Sequence, residues 1–297
     1  MKDKIYLGLF NIFQWTVRHT PKKVLNAILN SLSWLIYILD KKHRKIIKTN
    51  LDFAFGDKLS KKEKDKIIKK CYKNMLYNLA DFVKNQGISK EELLKKIEFK
   101  NEKILKDALK NGEKVILITA HYGNWELLPL SIAAFFGPLT AVGRALDSKT
   151  MNDILKRNRE QYDIRILDKK GAMKGLINDL KKGRMVGLLV DQNTAESEGI
   201  LIDFFGKRAR HTPSAALLAR RFNAKIIPTF ISTNDYEKYT ITFYEPIICK
   251  KTQNSEEDIR KCTQAQADIT EKVIRQKPDE WFWFHKRWKN QYEEIYK

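Results

Sequence analysis

The sequence predicts an α/β fold: a mostly parallel central sheet flanked by helices, entered through a helical N-terminal extension. Three observations predict it. A continuous apolar, β-branched run, VILIT at 115–119, shows none of the alternation of a half-exposed strand, which marks a parallel strand covered on both faces. From that run onward, strand-like and helix-like stretches alternate, the pattern of strands joined by crossover helices. His121, Arg144 and Asp191 each directly follow a strand candidate, so a parallel sheet would gather all three along one edge, where open α/β sheets bind ligands.

The N-terminus justifies the extension. Residues 5–17 and 24–39 are apolar but interrupted, with Asn26, Asn30, Ser31 and Ser33 diluting the second stretch. A helix over 24–39 covers about 24 Å, against a hydrocarbon core of roughly 30 Å. Lying in the membrane interface with Trp15, Trp34 and Tyr37 at headgroup depth is one reading; spanning the bilayer and a packed helical hairpin are the others. No small-residue cleavage site follows, which argues against a signal peptide. Between Lys41 and Lys70 the chain is strongly basic. Each such residue near an anionic leaflet is worth on the order of 1 kcal/mol, although a solvated helical face produces the same pattern.

Residues 72–110 read as helical, with Ser89 an N-cap before EELLKKI and Asn111–Gly112 a stop. After VILIT, the turn HYGNWE places His121, Asn124 and Glu126, and Asn124 is a candidate N-cap for the helix that runs to about Phe136. LTAVG (139–143) ends at Arg144. A helix at about 149–161, a short strand near 164–167, a helix opened by Gly171 and the strand MVGLLV (185–190) follow, the last running into Asp191. Residues 193–211 read as a loop, and Thr212–Pro213 as the start of a helix. KIIPTFIST and YTITFYEPI are the last strands, partly antiparallel, and a helix at about 255–276 precedes the aromatic tail WFWFHKRW. Without repeats or a long linker, this is one α/β domain (46–297) behind a hydrophobic, membrane-associating segment (1–45).

Composition narrows the partners. Hydrophobic residues make up 43% and charged residues 31% of 297, which excludes a disordered chain. The net charge of +21 points to an anionic partner. Cys71, Cys249 and Cys262 are too few and too scattered for a disulfide framework or a zinc site.

His-x4-Glu, as in His121 and Glu126, is a weak motif alone; the strand before it and the helix after it give it weight. One reading is a general base: Glu126 holds one imidazole nitrogen while the other takes a proton from an attacking hydroxyl. The other is a structural histidine capping the helix. No G-x-S-x-G elbow and no nearby cysteine supply a nucleophile, which favours direct transfer onto an acceptor over an acyl-enzyme. No second histidine at i+4 invites a metal, and no cofactor is called for. Arg144, Arg157 and Arg159 suit phosphate, which a guanidinium grips in bidentate fashion. Asp191 could orient an arginine or the acceptor, or cap a strand end.

HYGNWE, GRALD, VDQN, GILIDFFGKRARHTPSAALLA, IIPTF and PDEWFWFHKRWK, in this order and at these separations, resemble the bacterial lipid A biosynthesis acyltransferases of the lauroyl/myristoyl type, a branch of the lysophospholipid acyltransferase superfamily. The resemblance runs over nearly the whole chain. It implies a glycerolipid-acyltransferase-like fold and an acyl chain delivered as a thioester by acyl carrier protein. It also implies a phosphorylated lipid A precursor as acceptor, and work at the cytoplasmic face of the bacterial inner membrane. His121 resembles the family's base and Glu126 its partner. Arg159 and Asp191 fall where the family has further functional polar residues, and Arg144 matches an arginine in a recurrent block; these three, with Asn124, are expected to bind substrate. Ala145 departs from the family, whose members often carry proline there. The apolar segments Ile200–Phe205 and Leu127–Phe136 are candidate walls of an acyl groove. Acylation of another glycolipid or phospholipid, and a non-catalytic basic membrane-surface protein, are the competing functions; no nucleic-acid motif is present.

Overall fold

The computed structural model describes residues 2–297. Four helices come first: α1 (Lys2–His19), α2 (Lys22–Leu39), α3 (Lys41–Phe55) and α4 (Lys61–Lys84). Residue 45, the expected boundary of the extension, lies within α3. Asp40 ends α2 and caps α3, its carboxylate accepting from the His43 N–H at 3.1 Å. Ser60 opens α4 through a capping box with Glu63. Val17, Leu25 and Leu29 pack α1 and α2 onto Leu76, Ala80 and Val83 of α4.

The opposite faces of α1 and α2 are bare. Ile5, Leu9, Ile12 and Trp15 on the first helix, and Val24, Ile28, Leu35 and Trp34 on the second, are all exposed. So much apolar surface on neighbouring helices marks a face that meets something other than water. No helix among the described residues is long and apolar enough to cross a membrane.

The chain then runs through α5 (Lys90–Lys96), β1 (Ile97–Lys100), α6 (Lys103–Lys110), β2 (Val115–Thr119), α7 (Leu127–Phe136), β3 (Leu139–Gly143), α8 (Lys149–Arg159), β4 (Ile164–Asp168), α9 (Ala172–Lys181) and β5 (Met185–Leu189). Ser89 caps α5 as expected, with Glu92 closing the box. After β5 come β6 (Ile200–Phe204), β7 (Lys207–His211), α10 (Ser214–Phe222), β8 (Lys225–Thr233), β9 (Tyr239–Phe243), β10 (Ile247–Ile248) and α11 (Ser255–Gln276).

The central sheet has the order β1-β9-β8-β2-β5-β3-β4, with β10 also paired to β8. β8–β2–β5–β3–β4 run parallel, and so do β1 and β9; β9 and β10 are antiparallel to β8. One face of the sheet packs on α5, α6 and α7 and the other on α9, α10 and α11, so β2, at the centre, carries apolar residues on both sides. α/β architecture and the mostly parallel sheet agree with the sequence.

Two elements differ from expectation. The helical reading of 72–110 hides β1, whose four residues, IEFK, carry two charges. The loop reading of 193–211 hides an antiparallel hairpin: β6 and β7 pair from Ile200↔His211 to Phe204↔Lys207. Ile202, Phe204 and Phe205 are buried in it against α11 and the C-terminal tryptophans Trp281, Trp283 and Trp288. That segment is therefore core and not the wall of a groove.

Candidate active site

β2, β5 and β3 are adjacent and parallel, so the residues that follow them emerge side by side. His121 and Asp191 meet. Asp191 Oδ1 accepts from His121 Nδ1 at 2.8 Å, and Oδ2 from the His121 backbone N–H at 3.0 Å and from the Trp281 indole N–H at 2.8 Å. This carboxylate is only 2% exposed. Burial alone would raise its pKa. The charge and hydrogen bond of His121, with the Trp281 and backbone donors, outweigh burial and hold it at about 2. Burial likewise pushes His121 down, but the charges of Asp191 and Glu126 prevail and keep the imidazole above its ordinary value. With Nδ1 spoken for, Nε2 faces outward, and among the described residues only the Gln192 side-chain amide reaches it, at 3.2 Å.

The aromatic tail braces this turn. Trp281 pairs with Tyr122 in an isolated antiparallel β-bridge, Phe282 N–H donates to His121 O at 2.8 Å, and the imidazole packs on the Trp125 ring with centroids 5.4 Å apart. Gly123 makes the turn possible. Its φ is +56°, and a Cβ there would sit 2.0 Å from the Ile231 carbonyl oxygen.

Glu126 is not the residue that holds His121. Its carboxylate is gripped bidentately by Arg159, with Nε to Oε2 at 2.8 Å and Nη2 to Oε1 at 2.5 Å. α7 begins at Leu127 and turns Glu126 toward α8, whose last residue is Arg159. Arg159 in turn lies over Gly143, where a Cβ would come within 3.1 Å of its guanidinium. Glu126 acts on His121 through its charge.

Asn124 also stands elsewhere than expected. It is 1% exposed, its Oδ1 accepts from Leu127 N–H at 3.2 Å and its Nδ2 donates to Asp81 at 3.1 Å. It serves the start of α7, as its cap reading anticipates, and does not line the cavity beside His121. Arg144 leaves β3 into solvent, with Asp147 4.0 Å away. Arg157 faces away from the site, toward α1.

His121, Glu126, Arg144 and Arg159 line a cavity of about 1000 Å³. Its walls are mixed. Trp125, Pro129, Val142, Leu155, Leu188, Leu189 and Leu217 supply an apolar side; Arg144, Lys169 and Lys170 gather basic charge at the ends of β3 and β4, against Asp168 and Glu198. A smaller apolar pocket of about 70 Å³ continues from Trp125 and Pro129 to Leu128, Ile132 and Leu139. Of α7, Pro129 lines both pockets, and the buried Leu128 and Ile132 line the smaller one; Leu127, Leu130 and Ala133 are core and line neither. Gln192, Trp125, Trp281 and the Lys169–Lys170 pair escaped the sequence reading. Of these Gln192, Trp125 and Trp281 carried a signal there, as members of the blocks VDQN, HYGNWE and PDEWFWFHKRWK.

Fold and site together define an α/β protein with a histidine–carboxylate pair at the carboxyl edge of its sheet, beside an amphipathic cavity. A model of the bacterial lipid A biosynthesis acyltransferases matches residues 3–290, and the chain belongs to that family. It is thus an O-acyltransferase of lipid A biosynthesis, from a membrane-associated family of bacterial lipopolysaccharide synthesis. No curated protein matched the chain.

Proposed function

We propose that the protein transfers a fatty acyl chain from acyl carrier protein to a hydroxyl of a phosphorylated lipid A precursor, with His121 as general base and Asp191, in place of Glu126, as its partner. In this mechanism the acceptor hydroxyl displaces the Gln192 amide from His121 Nε2. The imidazole takes the hydroxyl proton as the oxygen attacks the thioester carbonyl. Collapse of the tetrahedral intermediate breaks the C–S bond, completes the ester, and returns the proton from imidazolium to the departing thiolate. Asp191 keeps Nδ1 protonated and stabilises the imidazolium, a contribution of about 10²–10⁴-fold for such a base. No side-chain nucleophile is needed.

The observation that carries this reading is the outward Nε2 of a carboxylate-held imidazole at the mouth of a cavity that is apolar along one wall and basic at another. The apolar wall suits an acyl chain. Arg144, Lys169 and Lys170 suit a phosphate of the acceptor. The +21 surface favours both an acidic carrier protein and an anionic leaflet. The bare faces of α1 and α2 fit residues 1–45 lying in the cytoplasmic leaflet of the inner membrane, with the rest of the chain resting on it.

The test supplies purified protein with a labelled acyl group on acyl carrier protein or on coenzyme A, together with phosphorylated lipid A precursor. Transfer from the carrier protein, yielding an alkali-labile ester on the acceptor, is expected. Transfer only from coenzyme A, or label appearing in phospholipid instead, would replace the proposed donor or acceptor.

A further inference from the structure

A second cleft lies on the far side of α8. Leu155 and Arg159 face the catalytic cavity, while Ile154, Arg157 and Asn158 face a separate cleft of about 460 Å³ against α1. Its polar lining is unusual in a chain with 36 acidic residues: two guanidiniums, Arg18 and Arg157, and four amides, Asn11, Gln14, Gln86 and Asn158, with no carboxylate. Much of this polarity is unspent. Gln86 Oε1 already accepts from Gln14 Nε2 at 2.8 Å and from Arg18 Nη2 at 3.2 Å, which orients both toward the cleft. Arg157 makes no hydrogen bond or ion pair among the described residues. Asn158 is 4% exposed, and of its side-chain amide only Oδ1 is engaged among the described residues, accepting from Gln161 Nε2 at 3.0 Å.

Guanidiniums and amides without carboxylates recognise an anionic, oxygen-rich group. The apolar lining says what that group is attached to. Leu7, Phe10 and Ile154 complete the cleft, and on α1 the cleft residues recur at helical spacing beside the stripe of exposed Ile5, Leu9 and Ile12. A molecule seated here would have its head against the arginines and its tails beside the bare face of α1.

We propose that this cleft binds the phosphate headgroup of an anionic bilayer phospholipid, apart from the acyl-transfer cavity. The proposal rests on the reading that α1 and α2 lie in the membrane. Because α8 is the wall shared by cleft and cavity, a lipid in the cleft would also seat the helix that ends in Arg159.

The experiment measures binding of soluble dihexanoyl-phosphatidylglycerol, below its micelle concentration, to the full chain by titration calorimetry. Dihexanoyl-phosphatidylcholine and inorganic phosphate serve as comparisons. Phosphatidylglycerol is expected to bind at least about tenfold more tightly than either, the scale of one charge-assisted hydrogen bond. The Arg18→Ala/Arg157→Ala double variant is expected to lose that margin. Lys103→Ala/Lys106→Ala, which removes equal charge from exposed positions on α6, is expected to keep it. Equal binding of the two lipids, or undiminished selectivity in the arginine variant, would overturn the proposal. Inorganic phosphate binding as tightly as the lipid would assign the cleft to free phosphate and overturn it likewise. Flotation of a Leu9→Glu/Ile12→Glu variant with phosphatidylcholine vesicles tests the membrane reading separately. Undiminished flotation there would sink that reading while leaving the soluble-lipid result standing.

Discussion

At the level of single residues, His121 stands between two carboxylates that do different things. Asp191 holds Nδ1 and the backbone N–H; Glu126 acts from a distance while clamped by Arg159. The sequence offers the second carboxylate as the partner and places the first only at the same sheet edge, after a separate strand. Spacing of five residues made Glu126 look like the partner, but the helix starting at Leu127 carries it toward α8. Asp191 is 70 positions away, and only the pairing of β5 with β2 brings it close. Two expectations follow from the difference. Asp191→Asn should lower kcat by about 10²–10⁴-fold. It should also shift the acid limb of the kcat/KM profile to lower pH, because the anion that raises the His121 pKa is gone. An unshifted limb would detach Asp191 from the base. Glu126→Gln and Arg159→Gln remove two halves of one ion pair, so the double variant should lose little more activity than the worse single one. Losses that add fully in free energy would mean that the two act independently.

At the level of elements, legibility followed the strength of the local pattern. β2, β3 and α11 stand where their apolar runs put them, and the Ser89 cap was visible as a box with Glu92. The β6–β7 hairpin was not. Its tight turn places Phe205 at φ +56° and Gly206 at φ +70°, a conformation usually signalled by Asn-Gly or Asp-Gly. β1 is too short and too charged to stand out, because its pairing with β9 is settled by tertiary neighbours. The turn that carries His121 itself depends on Gly123. Gly123→Ala would drive a Cβ to 2.0 Å from the Ile231 carbonyl in a left-handed backbone. A loss of stability of roughly 3 kcal/mol or more is expected, from strain and clash together, read as a lower denaturant midpoint. A midpoint within about 0.5 kcal/mol of wild type would show that the turn is looser than described.

At the level of the whole molecule, basic charge and an apolar N-terminus were readable at once, because neither depends on the fold. Which side of α1 and α2 stays bare depends on their packing against α4 and was not readable. His211 and His285 carry a second global property. His211 lies fully buried, pushed down to about 3 by burial and by the Arg287 cation; His285 is pushed down to about 4 by burial, with Arg287 and His121 adding to it. A histidine whose folded pKa is depressed takes up protons more readily when unfolded, so stability is fully present above about 6.5 and drains as pH falls toward those values. His121 acts oppositely: its contribution is present at low pH and is lost as pH rises through its raised value. Tm should therefore fall steadily between pH 6.5 and 4.5, above the range in which ordinary carboxylates titrate, and a flat Tm across that window would contradict the burial of neutral imidazoles.

The most direct measurement is the rate of acyl transfer by purified His121→Ala protein with its circular dichroism spectrum intact. If this imidazole removes the acceptor's proton, transfer should fall by at least about 10²-fold. Turnover within a few-fold of wild type by the same folded variant would show that the ester is made without it.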